Sequence, residues 1–595
     1  MIEPPGRQPR GKKAWGLLGY LLLTERPPSR RRLAELFFPD AEDPLAALRW
    51  TLAELRRATG IPDLLTGDPV TTHLDPTTVD VLQLTTHPAQ TAGHPSRESG
   101  WAHGELLEGV ELDGCVEFES WLLLERRRVA GMIEARLRQQ AITLLATGRP
   151  TDAIPFAAKA VTSNPHEQGN HELLVRSLAQ SGDRAGALRQ IALCEDLFRT
   201  ELGVEVTESL HSAALVGTES GPPLSSRAAA VSQLQAGRAA LVAGAVDAGL
   251  LCLRQAAASA VQCHDKTLQA RALAALGGAL VHAIRGHDEE GAIILNEALL
   301  IAQEAGERPT AVLALRELGF VEVQAGRRTT GDEWLNRAQH LSETPEELSA
   351  ILGVRGMNSS DRSDYPTAFE QLNESADLAA SCGDRRQQAW SLSLVGRAHL
   401  LRAEYAEAAV ALGKSLELVR QERWIAFQPW PQALAAELDL YAGKLDTAFD
   451  GFEEAWALGC QLGDPCWEGM AGRGLALLNA ERGDHPAATR WLEIALNRAS
   501  TAPDRYQWVH AHVLDATITV AMDHSEHDRA LTLAGRLSAL AARCDLRELL
   551  VHAQLHLSRL GDRQAATSAR TLSTGIDNPA LQDLIGVVGR VDQQL

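Results

Sequence analysis

Leu45, Leu48, Leu52 and Leu55 recur at intervals of three, four and three residues, the spacing of one buried stripe on a helix. The punctuation around them agrees: Asp43 stands at the N-cap, Pro44 at the first helical position and Gly60 just past the end. Upstream, Gly11 to Thr24 predicts a short apolar helix, and Ser29 predicts the cap of a second one, Arg30 to Phe38, that stops at Pro39. Downstream, Leu64 to Leu74 alternates around Gly67, Asp68 and Pro69 as a hairpin does. Three helices and then a hairpin is the order of a winged helix-turn-helix.

Beyond this head the pattern becomes helical and repetitive. An amphipathic helix is predicted over Phe118 to Thr147, after which Gly148 and Gly182, and likewise Ala153 and Ala187, stand 34 residues apart. That interval is the period of the tetratricopeptide helix pair. From Leu234 a longer period takes over, with a turn followed by a small residue near Gly249, Gly291, Gly331, Ala368, Ala408, Ala448, Ala488 and Ala530, at steps of 42, 40, 37, 40, 40, 40 and 42. A helix pair cannot bury its apolar face alone, so neighbours must stack, and stacking gives a superhelix with a long inner surface. Two stretches rich in Gly, Pro, Ser and Thr, Thr85 to Gly104 and Val216 to Arg227, interrupt the helical text and read as linkers. The expected organisation is a head over 1–84, a linker over 85–105, a tetratricopeptide-like middle domain over 106–216, a linker over 217–227 and a repeat solenoid over 228–595. The fold class is therefore all-α: a truncated winged helix-turn-helix head, a tetratricopeptide-like domain and a long α-solenoid of roughly 40-residue helix pairs.

Composition supports this reading and narrows the function. The apolar fraction of 45% permits real cores, and aromatics at 5% against abundant Ala, Leu, Glu, Arg and Gln favour helix. The net charge of −20 is unevenly spread: residues 1–60 carry 11 Lys and Arg against 7 Asp and Glu, while the remainder carries 46 against 70. Only the head is suited to a phosphate backbone, and the body would repel one. The eight cysteines form no C-x-x-C pair and read as reduced core thiols in a cytoplasmic protein. The run Ala14 to Leu23 follows three basic residues as a secretory signal would, but no small-residue cleavage site follows, so a buried helix is expected. No run is long enough to span a membrane.

Candidate chemistry follows from these elements. Arg49, Arg56 and Arg57 on the third helix could meet phosphates or base edges, with Arg30, Arg31 and Arg32 as a backbone clamp. The plainer alternative is a solvated helix surface whose arginines pair with Glu54 or Glu35. In the tail, Trp390, Trp430, Trp467 and Trp508 fall on the first helices of successive repeats, with Trp424 beside them. They could line the concave side as a ladder for an extended peptide or flat ligand, or fill the seam between repeats. No cofactor is expected. The nearest approach to a phosphate-binding loop, Gly413-Lys414-Ser415, has Ala408 in place of its first glycine and sits in a repeat helix. His552 and His556, like His524 and His527, lack a third ligand at metal-site spacing, and no catalytic motif occurs, so neither a metal nor an enzyme is expected.

Several segments, in order, resemble bacterial regulators of the SARP type, which carry a bacterial transcriptional activator domain. They are GKKAWGLLGYLLL (11–23), SRRRLAELFFPD (29–40), ALRWTLAELRRATG (47–60), GELLEG (104–109), FESWLLLERRR (118–128), HEQGNHELLVRSLAQSGDRAGALRQIALCE (166–195) and ELGVEVTESL (201–210). The tail is similar to the helical repeats of larger MalT-like regulators. The resemblance implies that the third head helix enters the major groove of double-stranded DNA. It also implies that the middle domain supports a homodimer or contacts RNA polymerase. On this reading the repeats are expected to receive a protein or small-molecule signal. The chain departs from that pattern at Ala53 and Glu54, where a polar and a basic residue are usual, and in the wing LTGDPVTTHL (65–74), which has no Lys or Arg. The first helix also begins near Gly11, without the strands that usually precede it. The alternative is a helical-repeat scaffold that binds protein and no DNA.

Overall fold

The computed structural model describes residues 9–24, 26–74, 79–83, 104–215, 226–283, 286–500 and 506–592. Nearly all of both predicted linkers lies outside them. The described chain forms two units, residues 1–220 and 221–595.

In the first unit, α1 (Lys12–Leu23), α2 (Arg30–Phe37) and α3 (Pro44–Thr59) precede a two-stranded antiparallel hairpin, β1 (Leu65–Thr66) and β2 (Thr71–Thr72), and a single turn α4 (Asp80–Gln83). The predicted caps are in place. Ser29 accepts from the Arg32 amide at 3.2 Å, Asp43 accepts from the Ala46 amide at 2.9 Å, and Gly60 takes the left-handed conformation that ends α3, with φ of 70°. Leu48, Leu52 and Leu55 are fully buried as the stripe requires. Leu45 departs from it: the residue is 46% exposed, because it sits in the first turn of α3, ahead of the turns that meet the core.

The head core does not end with the hairpin. Leu112, Cys115, Phe118 and Leu122 join Leu17, Leu33, Phe37, Leu52 and Leu64 in one apolar cluster. The last two of that group on the chain side, Phe118 and Leu122, belong to α5 (Val116–Ala146), a 31-residue helix whose far half packs on the middle domain. There α6 (Pro150–Ser163), α7 (Gln168–Ser181), α8 (Arg184–Leu197) and α9 (Glu208–Leu215) stack in sequence order. Ala153 and Ala187, the 34-residue pair, are both completely buried.

The second unit stacks helix pairs. They are α10 (Arg227–Val242) and α11 (Val246–Gln262), α12 (Lys266–His282) and α13 (Asp288–Ala305), α14 (Arg308–Gln324) and α15 (Arg328–Leu341), α16 (Pro345–Asp361) and α17 (Tyr365–Cys382), and α18 (Arg385–Leu401) and α19 (Tyr405–Gln421). These are followed by α20 (Pro429–Tyr441) and α21 (Leu445–Leu462), α22 (Pro465–Glu481) and α23 (His485–Ala499), α24 (Gln507–Asp523) and α25 (His527–Arg543), and α26 (Arg547–Arg559) and α27 (Arg563–Leu572), with α28 (Pro579–Asp592) at the end. All eight periodic small residues lie buried on the second helix of a pair. Their role is close approach: a Cβ on Gly249 would stand 2.7 Å from the Leu241 Cγ and 3.1 Å from the Gly237 carbonyl, so the paired helices meet backbone to backbone. First helices also contact one another from α10 to α26, forming the inner layer.

That layer is not an open trough along its whole length. Arg328 donates to the Cys544 carbonyl at 3.0 Å, Tyr365 donates to Glu548 at 2.6 Å, and Asn578 donates to the Leu401 carbonyl at 3.2 Å. The last repeats therefore return onto α15–α18, and the coil closes on itself. Among the described residues no helix is long and apolar enough to cross a membrane. All eight cysteines are free; Cys115, Cys194, Cys466 and Cys544 are buried as expected, but Cys460 is exposed, because it lies on the outer helix α21.

Candidate nucleic-acid interface and aromatic pocket

The face of α3 opposite its leucines is open to solvent and carries Arg49, Trp50 and Arg57. Trp50 is 60% exposed and was not singled out by sequence reasoning; its place one residue from Arg49, off the leucine stripe, was the available signal. The six candidate arginines fall into two groups. Arg30 and Arg56 spend their guanidinium groups on the hairpin: Arg30 Nε donates to the Gly67 carbonyl at 3.0 Å, and Arg56 donates to the Leu65 carbonyl at 2.6 Å. The Arg30 amide also donates to the Asp68 carboxylate at 2.9 Å. The other four make ion pairs at the surface: Arg31 with Glu35 at 3.0 Å, Arg32 with Glu117 at 2.8 Å, Arg49 with Asp43 at 3.7 Å and Arg57 with Glu54 at 3.1 Å. The Arg31, Arg32 and Arg49 pairs are exposed on both sides and contribute roughly 0 to 1 kcal/mol each, so a competing phosphate can displace those carboxylates at little cost, whereas the Glu54 side chain is only 12% exposed.

In the second unit, four of the five candidate tryptophans, Trp390, Trp424, Trp430 and Trp467, line one cavity of about 400 Å³ on the inner layer. Trp390, Trp424 and Trp467 are half-buried, whereas Trp430 and Trp508 are buried. The walls come from α12 through α22, and Tyr506, the cap residue of α24, adds the far side. Trp424 stacks on Phe427 at 4.5 Å between centroids, Trp430 meets Trp467 at 5.4 Å, and Phe320 meets Trp390 edge-on at 6.5 Å. At one edge the Glu317 carboxyl is held at about 2: burial pushes it up, but Arg316 and His282 outweigh that.

The back of the cavity is a partition of buried side chains. Asp361 accepts from Arg328 at 2.7 Å, from Arg397 at 2.7 Å and from the Tyr506 hydroxyl at 2.9 Å. Arg397 is completely buried and lies 4.4 Å above the Trp508 ring, which in turn meets Trp430 at 6.2 Å. Burial raises the Tyr506 phenol far above its ordinary pKa, so it stays a donor. Asp361 stands 33 to 145 positions from its three partners, and no local pattern announces them.

Behind the partition lies a second chamber of about 300 Å³ lined by charged groups. Arg473 pairs with Glu437 at 3.0 Å, and Asp515 accepts from His552 at 3.2 Å and from His556 at 2.8 Å. This arrangement is the position of the two histidines read earlier as unsuited to a metal; among the described residues no group of three or more His, Cys, Asp or Glu could hold one. Ser415, from the phosphate-loop near-miss, is buried in α19 and donates to the Ala389 carbonyl at 2.7 Å.

The His552–Asp515 pair makes stability depend on pH. Burial lowers the His552 pKa, but the Asp515 carboxylate more than reverses this and lifts it to about 9. A raised histidine contributes fully below its unfolded value and loses that contribution as pH climbs through its folded one. The second unit is therefore expected to lose up to about 3 kcal/mol between pH 6.5 and pH 9.5, at about 1.4 kcal/mol per pKa unit. Urea midpoints across that window check this, and a fall of equal size in His552→Gln would refute the assignment.

The geometry defines a helical-repeat protein with an aromatic-lined recess, preceded by a three-helix head with a hairpin. Residues 94–214 match the family model of the bacterial transcriptional activator domain, so the chain contains a domain of that regulator class. No curated protein matches the chain. Among solved structures, the chain is similar to a Rap protein complexed with competence and sporulation factor, with 12% identity, 61% of this chain and 99% of that one covered and a TM-score of 0.43. It is also similar to NprR in complex with its cognate peptide NprX, with 13% identity, 62% and 99% covered and a TM-score of 0.37. A third is a STAND protein with a tetratricopeptide repeat sensor from Pyrococcus horikoshii, with 13% identity, 94% and 74% covered and a TM-score of 0.37.

Proposed function

We propose that the chain is a cytoplasmic, non-enzymatic transcriptional regulator whose head docks on double-stranded DNA and whose repeats receive a signal. The observation that carries this is the open face of α3 beside the hairpin, in a unit that contains a bacterial transcriptional activator domain. Arg49 and Arg57 are the base-edge or phosphate contacts, Arg31 and Arg32 clamp the backbone, and Arg30 and Arg56 hold the hairpin in place for them. The middle domain serves self-association or contact with RNA polymerase, and the repeat layer binds a partner or ligand.

A second reading is favoured by one observation: all six arginines have partners within the chain, and Glu54 is buried in the middle of α3. On that reading the head is a packing cap and the chain is a scaffold. Titrating the full chain with mixed genomic duplex at two salt concentrations separates the two. The regulator reading expects an affinity that falls steeply as salt rises. Undetectable binding at low salt leaves the scaffold.

A further inference from the structure

We infer that the aromatic cavity of the second unit is a binding site for a planar aromatic small molecule bearing carbonyl or carboxylate oxygens. This rests on the reading of the repeats as the signal-receiving part, and it names the class of signal.

Shape selects the class first. Tyr506 lines the cavity and is held in place by the buried Asp361 and Arg397, so this side of the recess is walled by a fixed, fully bonded group. The recess measures about 400 Å³, within the range that encloses a drug-sized ligand. Its lining is dominated by aromatic rings, Phe320 and Trp390 in one edge-on contact and Trp424 stacked on Phe427, with Trp467 edge-on to Phe427. A flat ligand laid against them gains stacking that a globular aliphatic one does not.

Unspent donors select the polar groups. Gln324 is nine-tenths buried at the cavity wall, yet its Nε2 has no acceptor, and the Nε of Arg316, which also lines the cavity two turns earlier on α14, has none either. A buried donor without an acceptor is unfavourable, and a ligand oxygen placed there removes the penalty. The competing carboxylates are committed elsewhere: Asp384 caps α18 through the Gln387 amide at 3.0 Å, and Glu317 pairs with Arg316 and His282. The site therefore offers donors to a ligand and asks it for acceptors.

The test is equilibrium dialysis of the full chain against anthraquinone-2-carboxylate, with tryptophan emission followed in parallel and 9-aminoacridine, planar and cationic, as the contrasting probe. Saturable binding of the anthraquinone at one site is expected, with quenching, and with acridine at least tenfold weaker. Gln324→Leu, close to isosteric, should weaken the anthraquinone about tenfold and leave acridine unchanged. Trp467→Ala, at the half-buried wall, should weaken both. No saturable binding, equal affinity for the two probes, or an unchanged affinity in Gln324→Leu with the fold intact overturns the inference. None of these measurements involves DNA, so the head's reading stands or fails separately in the salt titration.

Discussion

Asp361→Asn is expected to destabilise the second unit by about 3–5 kcal/mol, the cost of removing one member of a buried ionic group. Asp361 is fully enclosed and neutralises two guanidinium groups that are themselves enclosed, Arg328 and Arg397. An asparagine keeps the shape and one acceptor, but it leaves two positive charges in the protein interior with no counter-charge. The same group joins α15, α16, α18 and α24, so its loss should loosen the return of the last repeats as well as lower stability. The expected readings are a fall in the urea midpoint of the second unit and a larger radius of gyration in solution scattering. A midpoint within about 1 kcal/mol of the parent would mean that water, and not the two arginines, satisfies Asp361.

The second large effect concerns the head. Replacing Arg49 and Arg57 together by alanine should weaken operator binding by about 1–3 kcal/mol for each side chain that reaches a base, and should flatten the salt dependence if they reach phosphates. Both side chains are about two-thirds exposed, so the head should lose no more than about 1 kcal/mol, most of it from leaving the buried Glu54 without its counter-charge. Arg56→Ala provides the contrast. Its guanidinium holds the Leu65 carbonyl, so its loss should lower head stability by about 1 kcal/mol or more and affect binding through the hairpin's position. A double variant that binds like the parent would remove α3 from the recognition surface.

How far the chain could be read in advance depended on whether the information was local. Caps, turn residues and short-range stripes predicted α1–α3 and the hairpin to within a residue or two, because each is determined by neighbours a few positions away. The 40-residue steps located the small residues at which paired helices touch, because close approach tolerates nothing larger than a methyl group there. The tryptophan spacing brought four of five rings to one cavity, although it could not say which would be wall and which would be packing. What stayed hidden was the closure of the coil. Tyr506 reaches Asp361 across 145 residues, and such a contact depends on the accumulated curvature of several repeats, which no window of sequence contains. Leu45 was misplaced for a related reason: the stripe was correct, but where the core stops along it is a matter of what packs alongside.

The helix α5 has a practical consequence for anyone dividing this protein. Its opening turns supply Phe118 and Leu122 to the head, and its closing turns supply Leu137, Ala141 and Ile142 to the middle domain, along a continuous rod of about 46 Å. A cut before Val116 strips the head of part of its interior, and a cut within the rod exposes greasy ends on both fragments. Head and middle domain thus share a single bar of helix, and neither can be excised without taking part of the other's interior with it.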